Sequence, residues 1–185
     1  MPISFKNTAS QYGLISQFFH WSVAFIITLQ FIWAWRIEQL GLGRARYELV
    51  NEHKSMGLTI FMLVVLRLLW RFYHAPPPLP EQIPYWQQQS SRWVHGFIYA
   101  LLLCLPLVGW AMSSAAGFVV SWFNLIDLPA LMSQNEVLKE RLMDLHALLA
   151  WSLAVLVTGH ILMALHHHFV KKDEVLRRML PRWRK

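Results

Sequence analysis

The chain has 185 residues, 56% of them hydrophobic and 15% charged, with a formal net charge of +7. Ordinary soluble domains carry about 25% charged residues and about half apolar ones, so this composition, with a mean hydropathy of +0.35, excludes one and points to a membrane protein. The cations sit in short patches between long apolar runs rather than along a polar stripe, which excludes nucleic acid and leaves membrane lipid as the partner.

The first apolar run, roughly residues 14–35, reads LISQFFHWSVAFIITLQFIWAW. It is long enough to cross a bilayer, and too long for a signal peptide with no small-residue cleavage site behind it. The second run covers roughly 56–73 and is broken only by Arg67 and Arg71 near its end. The link HAPPPLPEQIP (74–84) cannot be helical, because proline locks φ and restricts the residue before it. The third run, roughly 93–117, holds Pro106 in its middle and the chain's one cysteine, Cys104, which has no internal disulfide partner. The fourth, roughly 145–169, reads LHALLAWSLAVLVTGHILMALHHHF; it has no acid, lysine or arginine, yet it holds five histidines. The basic tail, 170–185, has Leu and Val among its cations; it reads as a strip for the anionic inner leaflet or as a plain positive-inside stop.

Backbone in lipid must satisfy its hydrogen bonds internally, so the four runs are helices. The expected fold is all-α, an integral membrane four-helix bundle forming a single domain over 1–185. Eleven basic residues fall on the side of the N-terminus and six on the other, which places both termini in the cytoplasm. Trp33, Trp35, Trp70, Trp93, Trp110 and Trp122 lie near helix ends, where interfacial anchors belong.

Ionisable residues inside a membrane are functional candidates. His146 and His160 are 14 residues apart. At 100° per residue that is about 40° short of four turns, so both project from one helix face about 21 Å apart along the axis. His53, expected just before the second helix, shares the outer depth of His146. His20, about 9 Å into the first helix, shares the inner depth of His160. Two pairs result, His53/His146 outside and His20/His160 inside, each drawn from two helices. Such pairs suit two haem planes, with Gly57 and Gly159 admitting a flat macrocycle. They also suit hydrogen-bonded histidines tightening a bundle, or a proton or metal-ion path. Zinc is disfavoured, because no Cys, Asp or Glu lies near the inner pair.

FHWS around His20, NEHKSMG around His53, RLLWRFYHAPPPLP, HGFIY at His95, the His146–His160 helix ending in HHHF and the tail's RMLPR resemble the bacterial cytochrome b561 family over almost the whole chain. Within it they look most like the small stand-alone superoxide oxidase type. The resemblance implies an inner-membrane protein with two haem b groups whose axial iron ligands fall on His20, His53, His146 and His160. It further implies an oxidoreductase that takes electrons from extracytoplasmic superoxide, releases dioxygen and reduces ubiquinone. Larger relatives serve instead as haem-bearing anchors of dehydrogenases, so the alternative is an electron-transfer subunit with a protein partner; the short loops favour the stand-alone enzyme.

The remaining candidates have a cofactor reading and a plain one. His167 and His95 can meet a haem propionate or a quinone carbonyl near the inner pair, or be edge histidines in water. Arg67 and Arg71, one turn apart, can pair with propionates or snorkel to the interface. His74, His166 and His168 read as interfacial. Lys54 and Arg141, next to the outer pair in sequence, are the best local guides for an anion such as superoxide. The outer loops carry six basic and seven acidic residues, so no large net field exists there.

Overall fold

Four long helices make up most of the molecule: α1 (Leu14–Gln39), α2 (Arg44–Tyr73), α3 (Tyr85–Ala115) and α4 (Glu136–His166). The computed structural model describes residues 4–80 and 83–180. All four helices are long and apolar enough to cross a membrane, and most of their large apolar side chains face outward, as lipid-facing ones do. The tail residues Arg182, Arg184 and Lys185 and the link's Glu81 lie outside the described residues.

The helix ends follow local chemistry. At the end of α1 the Arg46 guanidinium donates to the Ile37 and Leu40 carbonyls, both at 2.9 Å, satisfying acceptors the helix leaves over. α2 stops at His74, just before the proline run. Asn135 caps α4, its side-chain oxygen accepting the Leu138 N–H at 3.0 Å, with Glu136 in the first turn.

Three starts differ from the sequence expectation. α2 begins at Arg44 rather than near 56, and α4 at Glu136 rather than near 145. RARYELVNEHK and EVLKERLMD are too polar for a hydropathy window but rich in helix formers, so each continues the helix beyond the apolar run. His53 is therefore inside α2 rather than before it. α3 begins at Tyr85 rather than near 93, which puts His95 about three turns in instead of at the start.

The packed centre joins Val23 and Ile27 of α1, Ile60 and Val64 of α2, Leu102 of α3 and Leu153 of α4. α3 packs most extensively on α4, α1 on α2, and α2 on α3, whereas α1 and α4 approach each other little. The gap between α1 and α4 is crossed by imidazoles.

The α3–α4 connection holds an antiparallel hairpin, β1 (Val120–Trp122) with β2 (Ile126–Leu128), pairing Val120 with Leu128 and Trp122 with Ile126. Its turn places Phe123 and Asn124 at φ of 50° and 57°, easy for Asn and costly for Phe. Buried Ser55 holds that turn, accepting the Phe123 N–H at 3.0 Å and lying 3.1 Å from the Ser121 carbonyl. Trp122 adds an indole N–H bond to Thr59. Ser55 is two residues from His53, about 200° around the helix, so the hairpin packs on the α2 face turned away from the outer histidines.

The described part of the tail, residues 170–180, lies against the protein. α4 continues as a π-helix (His167–Lys171), turns at left-handed Lys172 and ends in a 3₁₀ turn (Arg177–Met179) against α1. Trp21 donates to the Met179 carbonyl, while Arg178 donates to the Ser10 and Pro78 carbonyls at 2.8 and 2.7 Å. The tail thereby straps α4 to α1 across the inner end of their gap. Burial lifts the Tyr12 phenol above its ordinary value, although Arg71, Arg67 and Arg178 oppose this, so Tyr12 remains a hydroxyl donor at neutral pH.

Candidate histidine pairs across the bundle

The four histidines singled out by depth meet as the depth argument pairs them. The ring centres of His53 (α2) and His146 (α4) lie 6.4 Å apart with planes at 66°, and those of His20 (α1) and His160 (α4) lie 6.2 Å apart at 81°. Neither pair is in hydrogen-bond contact through its rings. Two imidazoles facing each other from opposite sides of one metal ion, with bonds of about 2 Å and a ring centre about 1.1 Å beyond each nitrogen, stand about 6.2 Å apart. Both separations match that figure. The residues present thus fit a haem between each pair.

The outer pair has simple surroundings. The Gln30 amide of α1 donates to the His53 carbonyl at 3.0 Å and sits where a Cβ on Gly57 would come within 3.4 Å of it. A Cβ on Gly109 would lie 3.4 Å from His146 Cε1, so this glycine of α3 lets the ring approach. A Cβ on Gly159, expected with Gly57 to admit a flat macrocycle, would meet nothing within 4 Å. Lys54 turns toward the loop before the hairpin, its ammonium 5.6 Å from the centre of the Phe118 ring. Arg141 is exposed on α4.

The inner pair sits in a crowded polar cluster. His95 reaches it from α3, its ring centre 5.2 Å from that of His160, with Ser91 3.3 Å from its Nδ1. That spacing is about 1 Å too short for His95 and His160 to face each other from opposite sides of an iron atom, whereas His20 has the spacing for it. The Arg67 guanidinium lies 3.2 Å from His20 Nδ1, and the guanidinium carbons of Arg67 and Arg71 stand 5.5 and 6.0 Å from the centre of the Tyr99 ring. Arg67 points into the bundle and does not snorkel. The Trp21 ring borders His20 at 5.1 Å.

The other predicted histidines lie apart from these pairs. Buried His167 spends its Nδ1 on the Asp173 carboxylate and anchors the strap. His74 stacks on Trp70 with centres 3.8 Å apart, His168 lies against Phe169, and His166 is exposed. Sequence reading passed over Gln30, Tyr99, Gly109 and Asp173. Gln30 left a signal, a polar residue deep in an apolar run. Tyr99 and Gly109 left none until α3 had been rotated into place, and Asp173 lies past the last helical repeat.

Comparison with known proteins places the chain as a whole. The profile of the family described as prokaryotic cytochrome b561 matches residues 11–182. "Cytochrome b561 homolog 2" of Escherichia coli (strain K12) is 38% identical over 180 residues, covering 96% of this chain and 95% of that protein. "Cytochrome b561 homolog 1" of the same organism is 30% identical over 142 residues, 76% of this chain and 80% of its own. A "Probable superoxide oxidase CybB" of Yersinia pestis is 33% identical over 181 residues, 94% of this chain and 98% of its own.

Proposed function

The chain belongs to the prokaryotic cytochrome b561 family of membrane haem electron-transfer proteins, which bind haem b, and from that premise we propose that it is a di-haem superoxide:ubiquinone oxidoreductase of the bacterial inner membrane. In this reading His53 and His146 hold the outer haem iron, His20 and His160 hold the inner one, and both termini lie in the cytoplasm. The observation that carries it is the pair of ring separations, 6.4 and 6.2 Å, each taken across two helices at one depth.

Haem b, when bound, supplies a one-electron centre. Two histidine ligands leave no open position on the iron, which favours electron transfer over dioxygen binding. The protein's own residues do the rest. The helices hold each pair of rings at fixed separation, so little rearrangement accompanies a change of charge. On the outer side, Lys54 is the cation adjoining His53, and Arg141 stands exposed five residues before His146 as a second guide for a small anion. On the inner side, Arg67 and Arg71 have no carboxylate partner among the described residues and offer paired donors to haem propionates. His95 adds a polar group beside them, and ubiquinone is the acceptor at this end. Superoxide as donor is supported by the family resemblance and by the name of the Yersinia pestis relative.

The purified protein is expected to show b-type haem bands and to reduce a ubiquinone analogue with superoxide and no added protein. Haem bands with reduction only in the presence of a co-purified dehydrogenase would move the reading to an electron-transfer subunit.

A further inference from the structure

The two histidine pairs have almost equal ring separations but unlike charges around them. At the inner pair a guanidinium lies 3.2 Å from a ring nitrogen of His20, and a second, on Arg71, shares the Tyr99 ring with it. The nearby polar groups are His95, Tyr99 and Tyr12; among the described residues the tail's carboxylates, Asp173 and Glu174, bond to His167 and Arg177. At the outer pair, among the described residues, no cation is hydrogen-bonded to either ring. Lys54, half-buried and one residue from His53, is the cation at this end and faces Phe118 without touching either ring, and Glu52, Asp144 and Arg141 are exposed, where water screens charges of both signs.

A guanidinium has only donors, so its contact with His20 needs a lone pair on Nδ1. An imidazole that gives its other nitrogen to iron carries the proton on Nδ1, and two donors cannot then face each other. Tyr99 provides a second seat, its ring centre 5.5 Å from the Arg67 guanidinium carbon. With or without a metal on His20, the positive charge stays at the inner end, in a partly buried site where screening is weak.

Resting on the ligand reading above, we infer that Arg67, seconded by Arg71, makes the inner site the stronger electron acceptor and so directs transfer from the outer haem to the inner one. The step is one electron leaving the outer site, which is oxidised, and arriving at the inner site, which is reduced; no bond forms or breaks. A fixed cation favours the state with one more electron beside it. At an effective dielectric constant of about 20, a unit charge within about 10 Å shifts such an equilibrium tenfold or more.

The test is an optical redox titration of the haem-loaded protein in lipid nanodiscs. Arg67→Gln is expected to lower the midpoint potential of one haem, the one missing from the His20→Ala protein, by about 59 mV for each tenfold in the equilibrium. The other haem keeps its potential. Arg67→Lys retains most of the inner potential, and Arg71→Gln lowers the same haem by less. If Arg67→Gln costs the protein its inner haem, Arg71→Gln becomes the deciding variant. Unchanged inner potentials in the neutral variants that load, an equal fall at both haems, or a fall confined to the haem missing from His53→Ala would each overturn the inference. Should His20→Ala and His53→Ala remove the same haem, the ligand reading fails and takes the inference with it. When they remove different haems, an unmoved inner potential defeats the inference alone.

Discussion

The outer and inner ends of the bundle carry the same device in opposite settings. Each has two imidazoles from different helices, spaced to within 0.2 Å of the other pair. The outer rings are supported by a backbone carbonyl held by Gln30 and by the flat surface of Gly109, with little charge in contact. The inner rings meet a third histidine, a guanidinium and a tryptophan, and a tail is strapped below them. One helix, α4, contributes to both, so the geometry repeats because the helical register repeats. The surroundings differ because different helices and segments close the two ends. Like spacing in unlike electrostatics suits the directional two-step path proposed above.

The largest effects should come from breaking one pair. His53→Ala and His146→Ala are each expected to remove the outer haem and spare the inner, and His20→Ala and His160→Ala the reverse, read as haem per chain by pyridine haemochrome. His95→Phe, by contrast, should keep both haems, since its ring is not placed to share an iron with His160; loss of the inner haem in that protein would reassign the pair. Next comes the hairpin beside the outer end. Ser55→Ala leaves the Phe123 N–H without its acceptor, at a cost of about 1 to 3 kcal/mol. A lower melting temperature in detergent with both haems still bound would agree with a hairpin that packs away from His53.

A smaller effect is expected at the inner strap. Arg178→Ala removes two hydrogen bonds to main-chain carbonyls and should release the tail for proteolysis, costing about 1 to 2 kcal/mol of stability. The smallest concerns the outer cations. Lys54→Gln should slow superoxide-driven quinone reduction by less than about tenfold, in a salt-dependent way, and Arg141→Gln by less than that. A large, salt-independent loss in the lysine variant would mean that Lys54 acts by structure rather than by steering.

Much of this was legible from helical arithmetic alone. The fourteen-residue spacing of His146 and His160 contains the two depths, and a four-span topology then assigns His53 and His20 to them. The depth of His53 survived an error in the start of α2, because depth follows the position of the apolar run and not the point where helical hydrogen bonding begins. Three features were not legible. The 120–128 hairpin depends on Ser55 and Thr59, which lie more than 60 residues earlier. The strap depends on Arg178 meeting carbonyls of residues 10 and 78, for which the sequence has no periodic signal. The inward aim of Arg67 was left open beside snorkelling because charge pattern does not reveal which way a long side chain turns; Tyr99 on a neighbouring helix decides it.

The measurement closest to the central claim is the amount of haem b bound per chain in the purified wild-type protein, by pyridine haemochrome against quantitative amino-acid analysis. Two pairs at two depths predict two haems per chain, separable in a redox titration. A single haem per chain, or none in protein that is folded and helical, would contradict the account.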